Sequence, residues 1–360
     1  MAAWCSNYEF EDVISSVEAP AVETFHAGSA YESRQWMVRR LIWRPGVRAL
    51  AARMNPGLKP IRLTQDYDVL VYVCMNPSDL LYLNAIEGWR DRCRTKLCYM
   101  VEFYSGWLKE YEFHLTQYLT GFDQVYLSFS GSVPSVHQAV GKPVHHVPLG
   151  ADLFRFTPYP TPPQRGIDVY SMGRRSEMGH QAFLKQLRKG ELFYIYDTIP
   201  GLFIQPKNHL EHRDLIANCA KRARYFITYP AKVDVAEETR GQSEAGARFF
   251  EGAAAGSILL GQAPTVPAFA RDFSWPGAVL NIGGSEEELM ATLDHWNRRP
   301  EQAAALRRQN ACTALRSFDW GHRWAEMLRL AGLPATPQLQ EREARLSKLA
   351  ALAESTPLTA

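Results

Sequence analysis

The sequence predicts an α/β protein of two domains, and three observations carry that prediction. Apolar, strand-like runs alternate with helix-like amphipathic stretches from Asp66 to Pro148, and the alternation begins again at Gly166. A cluster of Pro158, Pro160, Pro162 and Pro163 stands between the two series. The length of 360 residues is too much for one ordinary core and suits two.

Composition fits a folded chain in water. Hydrophobic residues are 46%, charged residues 22% and aromatic residues 12%, which excludes a disordered or fibrous protein. Lys and Arg number 40 against 38 Asp and Glu, for a formal net charge of +2. That balance gives no bulk attraction to nucleic acid or to an anionic membrane, while leaving room for a local basic patch. The longest strongly apolar run, Val69 to Met75, falls far short of the ~20 residues of a membrane span. The opening Met-Ala-Ala-Trp-Cys-Ser-Asn-Tyr-Glu lacks a basic segment followed by an apolar core, so no secretory signal is expected. Cysteines at 5, 74, 93, 98, 219 and 312 form no CxxC pair and no zinc spacing. They read as free, mostly buried thiols of a cytoplasmic protein, with no metal site.

Along the chain, Ser33 to Ala52 suggests a helix and a turn broken at Pro45. Tyr67 to Cys74 is a continuous apolar run, as in a strand covered on both faces. Asn76 to Asp79 offers a turn and N-cap, and a helix is expected from Leu80 to Arg92. Strands follow at Lys96 to Phe103, Gln124 to Phe129 and Val144 to Pro148, with helices at Leu108 to Leu119 and from Ser130 to Gly141. The prolines between Thr157 and Arg165 can continue neither helix nor central strand and read as a linker. Beyond it, strands are expected at Gly166 to Met172, Leu192 to Tyr196, Arg224 to Thr228 and Ser257 to Leu260. Helices are expected at His180 to Leu187, Leu210 to Ala223, Ser243 to Ala255, Glu286 to Arg298, Pro300 to Ala314, Trp320 to Leu330 and Gln338 to Ala353. The domains are therefore drawn at 1–155 and 156–335. The helix in 336–360 is expected to pack back on the first domain.

The stretch from Gly241 to Gly261 is the richest in chemistry. A helix opening at Ser243 would place Glu244, Arg248 and Glu251 on one face, among small or apolar residues. Buried charge must be paired or used. The N–H groups at Gly241 to Glu244 would form an anion site at the helix start, and a carboxylate further on could accept hydrogen bonds from sugar hydroxyls. An amphipathic helix with an internal Glu244–Arg248 ion pair is the competing structural reading. Gly252 and Gly256 would let the helix pack closely and then end.

Arg248 to Leu260 resembles the donor-site segment of the GT-B glycosyltransferases, in the branch described as glycosyltransferase family 1 or CgeB-like. Its pattern is roughly R-x-F-E-x-x-A-x-G-x-x-L-L. Val147 to Asp152, with Phe156 and Pro158, is similar to that family's crossover between domains. Ile167 to Arg175 is similar to the first strand and loop of its nucleotide domain. The resemblance implies two Rossmann-like domains whose parallel sheets face each other across a cleft. The expected reaction moves a sugar from a nucleoside-diphosphate sugar to an acceptor hydroxyl, without metal or other cofactor. The acceptor could be a glycan, a lipid-linked molecule or a small molecule. Glu251 would bind the donor ribose, and Glu244 would lie near the sugar. Arg174 or Arg175 would meet the diphosphate, with Gly173, Ser243, Arg248 and Tyr229 completing the donor site. This assignment, and with it the transferase reading, is staked on the Glu251 carboxylate facing a crevice rather than being locked in a salt link beneath packed side chains. Glu244 and Glu251 have six residues between them where the retaining pattern has seven, so the stereochemical outcome does not carry over. The alternatives are a nucleotide-sugar epimerase and a non-catalytic nucleotide-sugar-binding or partner subunit.

An inverting reaction needs a base in the first domain. Glu102, at a strand's carboxyl end, leads Asp79 and His26. His145-His146 lacks a third ligand for a metal. Lys207 and His209 read first as a solvated loop, and Tyr229-Pro230 as core or as a stacking surface for a base. Asp319 to Trp324 reads as a helix cap and core anchor, and the charged helix beyond Gln338 as surface.

Overall fold

A computed structural model of the chain describes residues 5–18, 25–198, 208–282 and 284–356. The chain divides into two compact units, Pro20–Val147, and Met1–Ala19 together with Pro148–Ala360.

The Pro20–Val147 unit contains β1 (Ile61–Arg62), β2 (Tyr67–Cys74), β3 (Ile86–Glu87), β4 (Cys93–Met100), β5 (Gln124–Leu127) and β6 (Val144–His146). The main sheet has the order β2-β4-β5-β6, all parallel, with β1 and β3 pairing separately. Cys98, Met100, Val125 and Leu127 from its strands pack with Leu115 and Leu119 of the Leu108–Leu119 helix and with Val136 of the Val133–Val140 helix.

The helix expected over Leu80 to Arg92 is replaced by a 3-10 helix, Pro77–Ala85, and a single turn, Trp89–Arg92. Its start is fixed by a capping box. The Asn76 side chain accepts from the Ser78 N–H at 2.9 Å, and Asp79 Oδ2 accepts from the Met75 and Asn76 N–H groups at 3.0 and 3.3 Å. Ile86 and Glu87 then pair with β1, and Gly88 at φ +83° turns the chain. Asp79 is buried, and burial pushes its carboxyl up to about 6 despite those two backbone bonds. It is a cap rather than a candidate base. His145 and His146 are likewise held, by Gln124 Oε1 at 2.9 Å and the Ser128 carbonyl at 3.1 Å.

The second unit holds β7 (Ile167–Ser171), β8 (Tyr194–Tyr196), β9 (Ala223–Thr228), β10 (Ile258–Gly261) and β11 (Leu280–Asn281), all parallel in the order β11-β10-β9-β7-β8. The Ala247–Ala254 helix lies tightly on this sheet. A Cβ on Gly252 would come within 2.6 Å of Leu259 and 2.7 Å of Phe226, so only glycine permits that approach.

This unit also claims the chain's opening helix, Cys5–Glu18, which the sequence reading left unassigned. Its buried face of Phe10, Val13, Ile14 and Val17 follows helical spacing. It packs on the His209–Arg222, Trp320–Leu330 and Pro337–Ser355 helices. The boundary between units falls at Val147–Pro148, ahead of the proline cluster. That cluster lies inside the second unit, where Arg165 donates to the Ala223 and Ala255 carbonyls. The Pro337–Ser355 helix packs on Pro300–Ser317, Trp320–Leu330 and the Cys5–Glu18 helix. Within 1–155 it meets that opening helix and, through Arg342 and Arg345, Asp152 and Phe154.

The crossover after β6 is clamped by charge. Ala151 and Trp320 exchange backbone bonds with each other's segments, the Ala151 N–H reaching the Phe318 carbonyl at 3.0 Å and the Trp320 N–H the Ala151 carbonyl at 3.1 Å. Asp152 caps the Leu153–Phe156 helix, and Asp319 caps Trp320–Leu330. Arg342 bridges both, at 2.7 Å to Asp152 and 2.7 and 2.8 Å to the two oxygens of Asp319. Asp319 is fully buried, so Asp319→Ala removes a cap and half of the partnership of a buried guanidinium. A loss of about 3–5 kcal/mol of stability is expected in denaturant unfolding. A loss below about 1 kcal/mol would show that the clamp is ornamental.

Candidate donor site

An open parallel sheet binds ligands beyond the carboxyl ends of its strands, where the strand order reverses. In the second unit that point lies between β7 and β9, because β8 flanks β7 on one side while β9 lies on the other. The loops leaving these two strands meet. The Tyr229 hydroxyl, just past β9, donates to Ser176 Oγ at 2.9 Å. Ser176 Oγ in turn accepts from the Gly179 N–H at 3.1 Å and caps the Glu177–Lys189 helix. Tyr229 is thus part of the site's scaffold, half-buried against the core.

Between β7 and that helix run Gly173, Arg174 and Arg175. Gly173 adopts φ +90°, and its N–H donates to Asp197 Oδ1 at 3.1 Å. Asp197, just beyond β8, also receives Arg175 through its carboxylate at 2.5 Å and its carbonyl at 2.7 Å. The Arg175 guanidinium lies 5.5 Å from the Tyr196 ring. Arg174 pairs with Asp234. Arg248 reaches the same loop, its Nε donating to the Met172 carbonyl at 3.1 Å. Three arginines therefore gather beside the start of the Glu177–Lys189 helix, where free N–H groups favour an anion.

The segment around Glu244 departs from expectation. The helix begins at Ala247 with Gly246 as N-cap in extended backbone, and residues 242–246 belong to no helix or strand. Arg240 and Gly241 both take positive φ, at 49° and 83°, and two glycines within six residues oppose helix. Glu244 therefore does not share a helical face with Arg248 and Glu251. Its carboxylate is buried and accepts from Gln242 Nε2 at 2.7 Å, and its carbonyl accepts from the Ala231 N–H. Ser243 lies half-buried in the same irregular stretch, so the anion site expected at Gly241 to Glu244 has no helix end behind it.

Glu251 is the larger correction. Its carboxylate is completely buried. Oε1 accepts from Arg213 Nη1 at 2.5 Å, and Oε2 accepts from Arg248 Nη1. Burial opposes its ionisation, but Arg213 and then Arg248 outweigh burial and hold it down to about 2. Both oxygens are engaged within the protein, so the ribose-binding role is not supported, and Glu251 no longer carries the transferase reading, which must rest on other observations. Sequence spacing revealed Arg248, one turn away, but not Arg213. The latter comes from the His209–Arg222 helix, where it occupies a buried stripe with Ile216, Ala217 and Ala220. An arginine on an apolar stripe was the available signal. Its other partner is Glu9, which accepts from Arg213 Nε at 3.0 Å and Nη2 at 2.9 Å, and from Trp320 Nε1 at 3.1 Å.

Of the remaining candidates, Glu102 sits just past the carboxyl end of β4 in the first unit, half-buried. His26 lies in an irregular stretch, its carbonyl accepting from the Lys59 N–H at 2.9 Å. His209 binds Asp12 at 2.6 Å, and Lys207 lies outside the described residues. Asp319 and Trp320 are a cap and a core anchor, as expected. All six cysteines are free, and five are buried. Among the described residues, no group of three or more His, Cys, Asp or Glu is placed to hold a metal ion.

A family model described as glycosyl transferase-like matches residues 175–329. The fold is that of HepE from Anabaena, whose structure was solved with UDP and glucose. Identity is 12%, with a TM-score of 0.51 over 92% of this chain and 95% of that one. A protein of Listeria monocytogenes described as a UDP-N-acetylglucosamine 2-epimerase is 13% identical, with a TM-score of 0.45 over 86% and 81%. No curated protein matches. The chain thus has the GT-B glycosyltransferase fold, and its second unit carries the glycosyl transferase-like segment.

The paired Glu251 sets an acid sensitivity. Its folded value lies below the ordinary 4.5, so its contribution is complete above about pH 4.5 and is lost as pH falls toward 2. Glu251→Gln should lower stability at pH 7 by about 3–5 kcal/mol, by leaving Arg213 with Glu9 alone. The same variant should flatten the decline in stability between pH 5 and 2. Unfolding curves across that range test both, and a variant as stable as the parent at pH 7 would refute the pairing.

Proposed function

We propose that the protein transfers a sugar from a nucleoside-diphosphate donor to an acceptor hydroxyl, without a metal ion. The observation that carries this is the set of Arg174, Arg175 and Arg248 at the strand-order reversal of a unit with the glycosyl transferase-like match. In such a transfer the acceptor oxygen bonds to the anomeric carbon, the bond from that carbon to the diphosphate breaks, and the acceptor proton passes to a base. Negative charge grows on the departing diphosphate. Guanidiniums and a helix N-terminus can stabilise that charge without reorganising. Glu251 then acts as a positioning residue, since it fixes Arg248 against the Met172 carbonyl. Glu102 is the base that the strand-end position favours. HepE was solved with UDP and glucose, which supports a uridine diphosphate sugar as the first donor to examine.

A thermal-shift series with UDP, GDP, ADP and dTDP tests the reading. One nucleotide should raise the melting midpoint, as about 100-fold excess over Kd adds roughly 2.7 kcal/mol. The double variant Arg174→Gln/Arg175→Gln should lose most of that shift while keeping its own midpoint within a few degrees of the parent. If no nucleotide shifts the parent, or the double variant responds equally, the donor assignment fails.

A further inference from the structure

The Tyr31–Ile42 helix has two unlike faces. Val38 and Ile42 point inward and are buried with Ala51 and Ala52. The opposite stripe is Trp36, Arg39, Arg40 and Trp43, at the i, i+3, i+4, i+7 spacing of an amphipathic helix turned outward. Trp36 is 62% exposed and Trp43 50%. The chain continues in the same character through Arg44, Val47, Arg48 and Leu50, and Leu50 is 68% exposed. Large apolar side chains exposed together are uncommon on a surface that only meets water.

Several of these side chains touch one another or the neighbouring helix. The Arg40 guanidinium lies 5.2 Å from the Trp36 ring, and Arg48 lies 4.6 Å from Phe113. The Trp43 ring meets Tyr111 at 5.3 Å and His114 at 5.1 Å.

Charge separates as sharply as polarity. Between Tyr31 and Met54 stand six arginines, at 34, 39, 40, 44, 48 and 53, and one acid, Glu32. Among the described residues none of the six is ion-paired; Arg39 instead donates to the Tyr82 hydroxyl at 3.4 Å. The adjoining Leu108–Leu119 helix brings Glu110 and Glu112 together with Lys109 at its start.

We propose that this face docks on an anionic lipid bilayer. Trp36, Trp43 and Leu50 would enter the headgroup boundary while the arginines contact lipid phosphates, the division of labour of an interfacial amphipathic helix. The apolar members decide against nucleic acid. Leu50, Val47 and Met37 gain nothing beside a phosphate backbone but leave water on entering acyl chains. The overall charge of +2 conceals this patch, because acids elsewhere balance it. The inference does not depend on the donor reading.

The test is flotation of the full chain with phosphatidylcholine vesicles, with or without about a third phosphatidylglycerol. The chain should float with the anionic vesicles, at least tenfold less with neutral ones, and less as salt rises. Trp36→Ser/Leu50→Ser and Arg39→Gln/Arg40→Gln should each reduce binding at least tenfold, with unchanged melting midpoints and unchanged nucleotide response. No flotation with anionic vesicles overturns the proposal, as does flotation that neither variant alters. A stable dimer in light scattering that Trp36→Ser/Leu50→Ser dissolves would instead assign the face to a second copy of the chain.

Discussion

The second unit is organised around one buried chain of charges running Glu9, Arg213, Glu251, Arg248. Each link is a hydrogen-bonded ion pair, and three of the four groups are out of water. A buried charge is tolerable only when matched, and here two carboxylates face two guanidiniums. Burial alone would push Arg213 toward losing its proton, but Glu251 and Glu9 hold it firmly charged. The chain joins four elements distant in sequence: the opening helix, the His209–Arg222 helix, the Ala247–Ala254 helix and, through Arg248, the end of β7. The opening helix belongs to this unit for an electrostatic reason as well as an apolar one.

That arrangement changes what the most motif-like residue does. An acid in the donor segment of this fold invites a direct contact with ligand. Here its two oxygens meet protein cations, so its influence passes through Arg248, whose place beside Gly173 depends on the pair. The loop itself is held from the other side by Asp197, which takes the Gly173 N–H and Arg175 together. Ser176 and Tyr229 then fasten the two strand ends to each other. Positively charged groups are thus fixed in place by the protein itself, and preorganised charge is the kind that stabilises developing charge most effectively.

Much of this fold was legible because its signals are local. Leu108–Leu119 and Trp320–Leu330 were placed to the residue, the latter because Asp319 announces a cap and apolar spacing follows it. The parallel strands declared themselves by continuous apolar runs. What was not legible depends on partners far along the chain. Arg213 and Glu9 become a site only when two helices at opposite ends of the sequence meet. Pro77–Ala85 keeps a helix-like composition, but its course is decided by the pairing of Ile86 and Glu87 with β1. The late start of the Ala247–Ala254 helix was readable in principle, since Gly241 and Gly246 lower helix propensity around Glu244. The helix expected from Ser243 ran across Gly246 because it set Glu244, Arg248 and Glu251 on one face.

The arginines of this protein divide into two populations, and the division follows from burial. Arg213 and Arg342 are almost wholly enclosed, and each meets two carboxylates. Arg39, Arg40 and Arg44 are exposed and meet none among the described residues. Water satisfies an exposed guanidinium, so the lack of an acid partner costs little there, whereas inside the fold it would be prohibitive. Folding stability therefore dictates the first population and is nearly indifferent to the second. It is equally indifferent to whether Trp36 and Leu50 occupy the exposed positions between those arginines, since burying them is no part of the folded core. A stretch on which stability places so little demand, yet which is both strongly basic and strongly apolar, has its character explained by what it touches rather than by what it supports.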